Sequence, residues 1–154
     1  MKSAYILIGF IVLLFAITLY TLFQKNNPKP YSSTVDINST VFNVENANTP
    51  EKRNHGLSGR DRLLDTQGMF FVFDIPGHYN FWMKEMKFPL DIIFILNNNV
   101  VGVYENLQPA RDADQNPPMW GGNLLSDRVL EINAGLAKKY NIKVGDRVDY
   151  NIKN

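Results

Sequence analysis

The stretch Phe81-Trp82-Met83-Lys84-Glu85-Met86-Lys87-Phe88-Pro89-Leu90-Asp91-Ile92-Ile93-Phe94-Ile95 decides how the chain is read. It is aromatic and aliphatic throughout, holds a few charges, and is broken by one proline. Period-two alternation makes it two strand segments, Tyr79 to Met83 and Leu90 to Leu96, joined through Pro89. In the first, Phe81 and Met83 point one way while Trp82 and Lys84 point the other. In the second, Leu90, Ile92, Phe94 and Leu96 share one face, and Asp91 shares the other with Ile93 and Ile95. Both faces of that strand are apolar, so it is expected to be central, with Asp91 at least half buried. A buried carboxylate needs a cation or several N–H donors.

Outward from this stretch the pattern stays mostly β. Asn97-Asn98-Asn99 reads as a tight turn, because asparagine tolerates the left-handed conformation, and Val100 to Tyr104 completes a hairpin. Thr40 to Asn46 alternates as a first strand, Met69 to Phe73 is a short buried strand, and Asp74 to Asn80 holds Pro76 and Gly77 and turns the chain. Arg128 to Ile132 and Arg147 to Ile152 are further strands. Thr49 to Gly56 reads as a polar loop. Short helices are expected within Leu57 to Leu64, capped by Ser58, and from Ala134 to Tyr140, capped by Asn133. Leu107 to Asp127 is a long connection with three prolines and the pair Gly121-Gly122. The expected fold is mainly β (α+β): a small barrel-like domain with an antiparallel or mixed sheet and two short helices.

Ahead of the domain, Ala4 to Phe23 is twenty residues without charge or proline, the length of a helix that crosses about 30 Å of hydrocarbon. It is read as an uncleaved transmembrane anchor over residues 1–24. Residues 25–40, with Pro28 and Pro30, form a polar tether, and residues 41–154 form one globular domain. The short N-terminal flank favours an extracytoplasmic domain, attached to the cell membrane by a single pass. From Tyr31 onward there are 13 Lys and Arg against 15 Asp and Glu, a net charge of −2. No basic cluster is available to neutralise several phosphates, so nucleic acid is not an expected partner.

Five spaced motifs resemble family 192 of the domains of unknown function (DUF192). They are Arg53-x-x-Gly56-Leu57, Gly68-Met69-Phe70-Phe71-Val72-Phe73, Phe81-Trp82-Met83-Lys84 leading to Pro89-Leu90-Asp91-Ile92-Ile93-Phe94-Ile95, Val129-Leu130-Glu131-Ile132-Asn133-Ala134-Gly135, and Gly145-Asp146. The resemblance covers roughly Val41 to Val148. The chain departs from the family at Leu57-Ser58-Gly59-Arg60, where Leu-Met-x-Arg is frequent, and at Glu85-Met86, where Asn-Thr is common. The resemblance implies a compact, mainly β domain, often exported behind a signal or an anchor, and it implies no reaction.

The chemistry therefore has to come from the residues. Arg53, Trp82, Lys84, Asp91 and Glu131 are the candidate ligand-binding set. Asp91 has two readings: it caps the turn after Pro89 or anchors Arg53, or it lines a pocket with Trp82 and Lys84. Glu131 shares a strand face with Val129 and Asn133, and wants a partner, either an ion pair with Arg53 or Lys84 or a ligand. Cysteine, a Gly-x-Ser-x-Gly elbow, a phosphate loop and a His-Glu-x-x-His motif are all missing. His55 and His78 are not at ligand spacing, so no metal and no cofactor are expected. The leading expectation is a membrane-anchored domain that binds a small ligand or an envelope protein and leans away from catalysis. The alternatives are an envelope polysaccharide hydrolase using Asp91 and Glu131, and a structural or assembly factor.

Overall fold

A computed structural model of the protein describes residues 9–20, 31–110 and 117–153. The chain divides into two compact units, Met1–Pro30 and Tyr31–Asn154. In the first unit residues 9–20 form helix α1, with Phe10, Leu14 and Phe15 exposed. Among the described residues no helix is long and apolar enough to cross a membrane, so the expected spanning helix is not supported. The rest of the Ala4–Phe23 run lies outside the described residues.

The second unit contains β1 (Ser33–Ile37), β2 (Thr40–Ala47), α2 (Pro50–His55), β3 (Gln67–His78), β4 (Phe81–Trp82), β5 (Leu90–Leu96), β6 (Asn99–Leu107), β7 (Met119–Trp120), β8 (Leu125–Asn133), α3 (Leu136–Lys139) and β9 (Val148–Asn151). Seven strands form one sheet in the order β6-β5-β8-β3-β2-β1-β9, and β4 pairs with β7 in a separate ribbon. Among the described residues only β2 and β3 run parallel; the other neighbours are antiparallel. The sheet curls into a half-barrel, and its two outermost strands meet at one end. There Asn99 bridges Arg147, Val100 N–H donates to the Asp146 carbonyl, and Val148 N–H donates to the Asn98 carbonyl. The fold is mainly β, as the alternation implies.

Alternation sends the apolar side chains into two layers. Phe42, Val44, Phe70, Ile93, Ile95, Leu130 and Ile132 pack inside the curl with Leu136 and Ala137 of α3. Met69, Phe71, Ile92, Phe94 and Val129 pack on the other face, under Leu57, Phe81, Met83 and Met86. Strand β5 is buried on both faces, and the turn after it has Asn97 and Asn98 at φ of 50° and 63°.

Several local expectations need correction. Strand β1 lies in the stretch expected as tether, and the folded unit starts at Tyr31. Its Val35 and Ile37 are fully buried, and a left-handed Asn38-Ser39 turn folds it onto β2. The helix is at Pro50–His55 and not within Leu57 to Leu64. Thr49 caps it by accepting from Lys52 N–H, and Pro50 suits its first turn, where an N–H is not needed. Strand β3 runs through Pro76 to His78, because an irregularity between Val72 and Gly77 accommodates the proline. The long connection contains β7. Asn133 does not cap α3; its Nδ2 donates to the Leu63 carbonyl at 2.8 Å and to Asp65 Oδ1 at 3.0 Å.

Candidate functional site

The outer face of the sheet carries a row of side chains set by register. Glu45 pairs with Met69, Met69 with Glu131, and Glu131 with Ile92 across β2, β3, β8 and β5. Helix α2, the turns after it and the β4–β7 ribbon cover this face. They leave a cleft of about 420 Å³ with Glu131 on its lining, together with Phe71, Phe73, Tyr79, Phe81 and Trp82. Gly56 ends α2 at φ 54°, and a Cβ there would touch the Phe71 ring at 3.6 Å. Glycine thus lets the chain turn closely over the cleft wall.

Glu131 is 5 % exposed, and among the described residues its carboxyl has no hydrogen-bond or ion-pair partner. The nearest cation in electrostatic influence, Arg60, is engaged elsewhere: its Nη2 donates to Glu45 Oε2 at 2.8 Å in a two-pronged pair. Burial therefore prevails over the weaker pull of Arg60 and pushes the Glu131 carboxyl up to about 8. At neutral pH it is mainly protonated, a hydrogen-bond donor in an aromatic cleft. The expected ion pairs of Glu131 with Arg53 or Lys84 are absent.

Arg53 lines the same cleft. Its Nη1 donates to the Val72 carbonyl at 2.9 Å, and its guanidinium lies 5.1 Å from the centre of the Phe73 ring. Phe73 stacks on Tyr79 at 3.5 Å, and Phe71 meets Phe81 edge-on at 4.9 Å. Trp82 is 42 % exposed at the mouth. Lys84 is not on this cleft. Its Nζ sits 5.6 Å from the Trp82 ring, and it lines a neighbouring chamber of about 460 Å³.

Asp91 lies elsewhere. It is fully buried, and its register partner Ile132 belongs to the layer inside the curl. Its Oδ1 accepts from Asn106 N–H and its Oδ2 from Ala137 N–H, both at 2.8 Å. It neither caps the turn after Pro89 nor anchors Arg53, and it does not meet Lys84 or Trp82. Asp91 and Glu131 point to opposite faces of the sheet, so they do not flank one cleft as a two-carboxylate hydrolase would require.

The structure thus brings together Arg53, Trp82 and Glu131, sets Lys84 next door, and removes Asp91. Sequence reasoning did not assign Phe71, Phe73, His55, Met86 or Met119 to the lining, since each has an ordinary explanation as core or loop. Among the described residues no group of three His, Cys, Asp or Glu is placed to hold a metal ion.

The model of the DUF192 family, described as an uncharacterized ACR, matches residues 33–150. A crystal structure of a protein of unknown function from Novosphingobium aromaticivorans is similar, with 36% identity over 75% of this chain and 83% of that one and a TM-score of 0.65. A second, from Sinorhizobium meliloti and described as a candidate transcription regulator, has 27% identity over 80% of this chain and 98% of that one, with a TM-score of 0.70. No curated relative matches the chain.

Proposed function

We propose that this chain, which belongs to the DUF192 family, is a binding module for a small, largely apolar molecule that carries a hydrogen-bond acceptor. The observation that carries this reading is Glu131: on a residue only 5 % exposed, a carboxyl that has no hydrogen-bond partner among the described residues lines an aromatic cleft. A carboxyl held in a poorly hydrated aromatic cleft lacks the hydrogen bonds it makes in bulk water, and a ligand that accepts a hydrogen bond from it offsets that cost. Aromatic walls supply the apolar contact, and one convergent polar group orients the ligand. The set contains no nucleophile paired with a base, which favours binding over catalysis.

Acetophenone, a flat molecule with one carbonyl, is a suitable probe. It is expected to bind the full chain and shift the Trp82 indole N–H resonance. Because Glu131 must hold its proton to donate, affinity stays level to about pH 7 and falls about tenfold by pH 9. Affinity that is flat or rises across that range, or no binding in the cleft, would refute the donor role.

We further propose that the module is attached to a membrane, on its extracytoplasmic side. The uncharged run Ala4–Phe23 and the exposed apolar side chains of α1 support the attachment. The chain is expected to stay in the membrane fraction through an alkaline carbonate wash, and L13K/L14K to release it. A wild-type chain recovered in the wash would sink the anchor.

A further inference from the structure

The cleft and the polar chamber beside it share four lining residues: Asn54, His55, Ser58 and Trp82. Trp82 is the one aromatic residue among them. The cleft alone is lined by the other aromatic rings and Glu131; the chamber alone is lined by Glu51, Lys84 and Glu85. The cleft falls in the range of about 300–1,000 Å³ that small-molecule sites occupy, while the chamber is an open depression whose lining residues, Ser58 apart, are exposed. We propose that the two form one site for an elongated, two-part ligand of the glycoside type, with a flat acceptor-bearing aglycone against Glu131 and a polyhydroxylated ring beside Trp82. This rests on the reading of Glu131 given above and extends it.

The lining of the second chamber selects the outer group. A singly charged group would meet both signs, because Lys84 shares the lining with Glu51 and Glu85. The Glu51 carboxyl is also turned back onto its own backbone N–H and the Thr49 hydroxyl. A ring bearing several hydroxyls suits such a mixture: carboxylates accept, the ammonium donates, the Asn54 amide does both, and the Ser58 hydroxyl, whose proton is engaged, accepts. The exposed Trp82 indole offers an apolar face for the C–H side of such a ring. The chamber is also held in shape. Ser58 Oγ donates to the Lys84 carbonyl at 3.3 Å, and Gly59 N–H donates to the Glu85 carbonyl at 3.0 Å. Glu85 sits at φ 58°, a left-handed geometry uncommon for glutamate. These ties keep it there, with its side chain on the chamber lining.

The test is calorimetric titration of the full chain with four matched probes. They are 4-acetylphenyl β-D-glucopyranoside, its aglycone 4-hydroxyacetophenone, methyl β-D-glucopyranoside, and phenyl β-D-glucopyranoside, which lacks the carbonyl. The whole glycoside is expected to bind at least tenfold more tightly than either half. Lys84→Ala, which alters only the outer depression, should reduce it towards the level of the aglycone while leaving the aglycone's own binding unchanged, and Glu131→Met should reduce it to the level of the phenyl glycoside. Thermal melts of both variants establish that they are folded. If the glycoside binds no more tightly than the aglycone, while the aglycone still depends on Glu131, the two-part site is overturned and the inner cleft reading stands. If no probe binds, or Glu131→Met changes nothing, both readings fall together.

Discussion

Glu131→Met is expected to stabilise the chain by about 3 kcal/mol at pH 7, and to do so with a pH dependence that identifies the cause. The carboxyl is raised from its ordinary 4.5 to about 8 by burial. Below pH 4.5 the folded and unfolded chains both hold the proton, and Glu131 carries no ionisation cost. Between 4.5 and about 8 the folded chain holds a proton that the unfolded chain has released, so stability falls by about 1.4 kcal/mol per pH unit. Above 8 both states are ionised and the loss is complete. Methionine has similar length and no proton, so the variant's profile lacks this slope and its advantage grows from acid to pH 8. Glu131→Gln should gain less, because a buried amide without partners keeps a penalty of about 1–3 kcal/mol. Urea unfolding at several pH values measures both. Parallel profiles for wild type and Glu131→Met would mean that the carboxyl has a partner in solution, and the argument for the cleft would fail with it.

A side chain whose removal stabilises the fold is the mark of a group kept for something other than folding. Part of this was legible beforehand. A carboxylate on a strand among Val129, Leu130 and Ile132 demands an explanation from alternation alone, and Glu131 was singled out on that ground. The strands β5, β6 and β8 were legible for the same reason, as was the turn at Asn97-Asn98, whose side chains favour positive φ. Helix α2 was not. It has six residues, buries none of them, and so shows no apolar stripe; its only signal was the local grammar of Thr49, Pro50 and Glu51. Strand β1 was hidden because five residues beside a proline-containing segment carry too little pattern to stand out. Pro76 was read as a break, but a bulge absorbs it.

What the sequence could not supply was the pairing across strands. Asp91 and Glu131 each alternate with apolar neighbours, and either could have faced the cleft. The antiparallel register that sets Ile92 opposite Glu131, and Asp91 opposite Ile132, decides that they face apart. Lys84 is separated from Glu131 in a similar way. It is exposed beside Trp82, and it faces the polar chamber. The cleft itself depends on which face of the sheet is roofed by α2 and the β4–β7 ribbon, a tertiary fact with no local signature.

Asp91→Ala is expected to cost about 4 kcal/mol, a large share of the roughly 5–15 kcal/mol that holds a domain of this size together. The substitution leaves two N–H groups, Asn106 and Ala137, without the carboxylate oxygens they now meet at 2.8 Å. Helix α3 has only four residues, and Gly135 at its N-cap offers no side chain, so Asp91 supplies a cap from a distant strand. The other bond holds the end of β6 where Asn106 turns through φ 54°. One carboxylate therefore ties β5 to β6 and to α3, whose Leu136 and Ala137 pack into the inner core. Asp91→Asn keeps one acceptor but sets an amide N–H₂ against a backbone N–H, so about half the loss is expected. Faster hydrogen exchange at the Asn106 and Ala137 amides should localise the damage in the asparagine variant. Because Asp91 lies on the opposite face from the cleft, acetophenone should bind the folded fraction of that variant with wild-type affinity. A stable Asp91→Asn chain that had lost probe binding would reverse the assignment, making Asp91 part of the site and not of the scaffold.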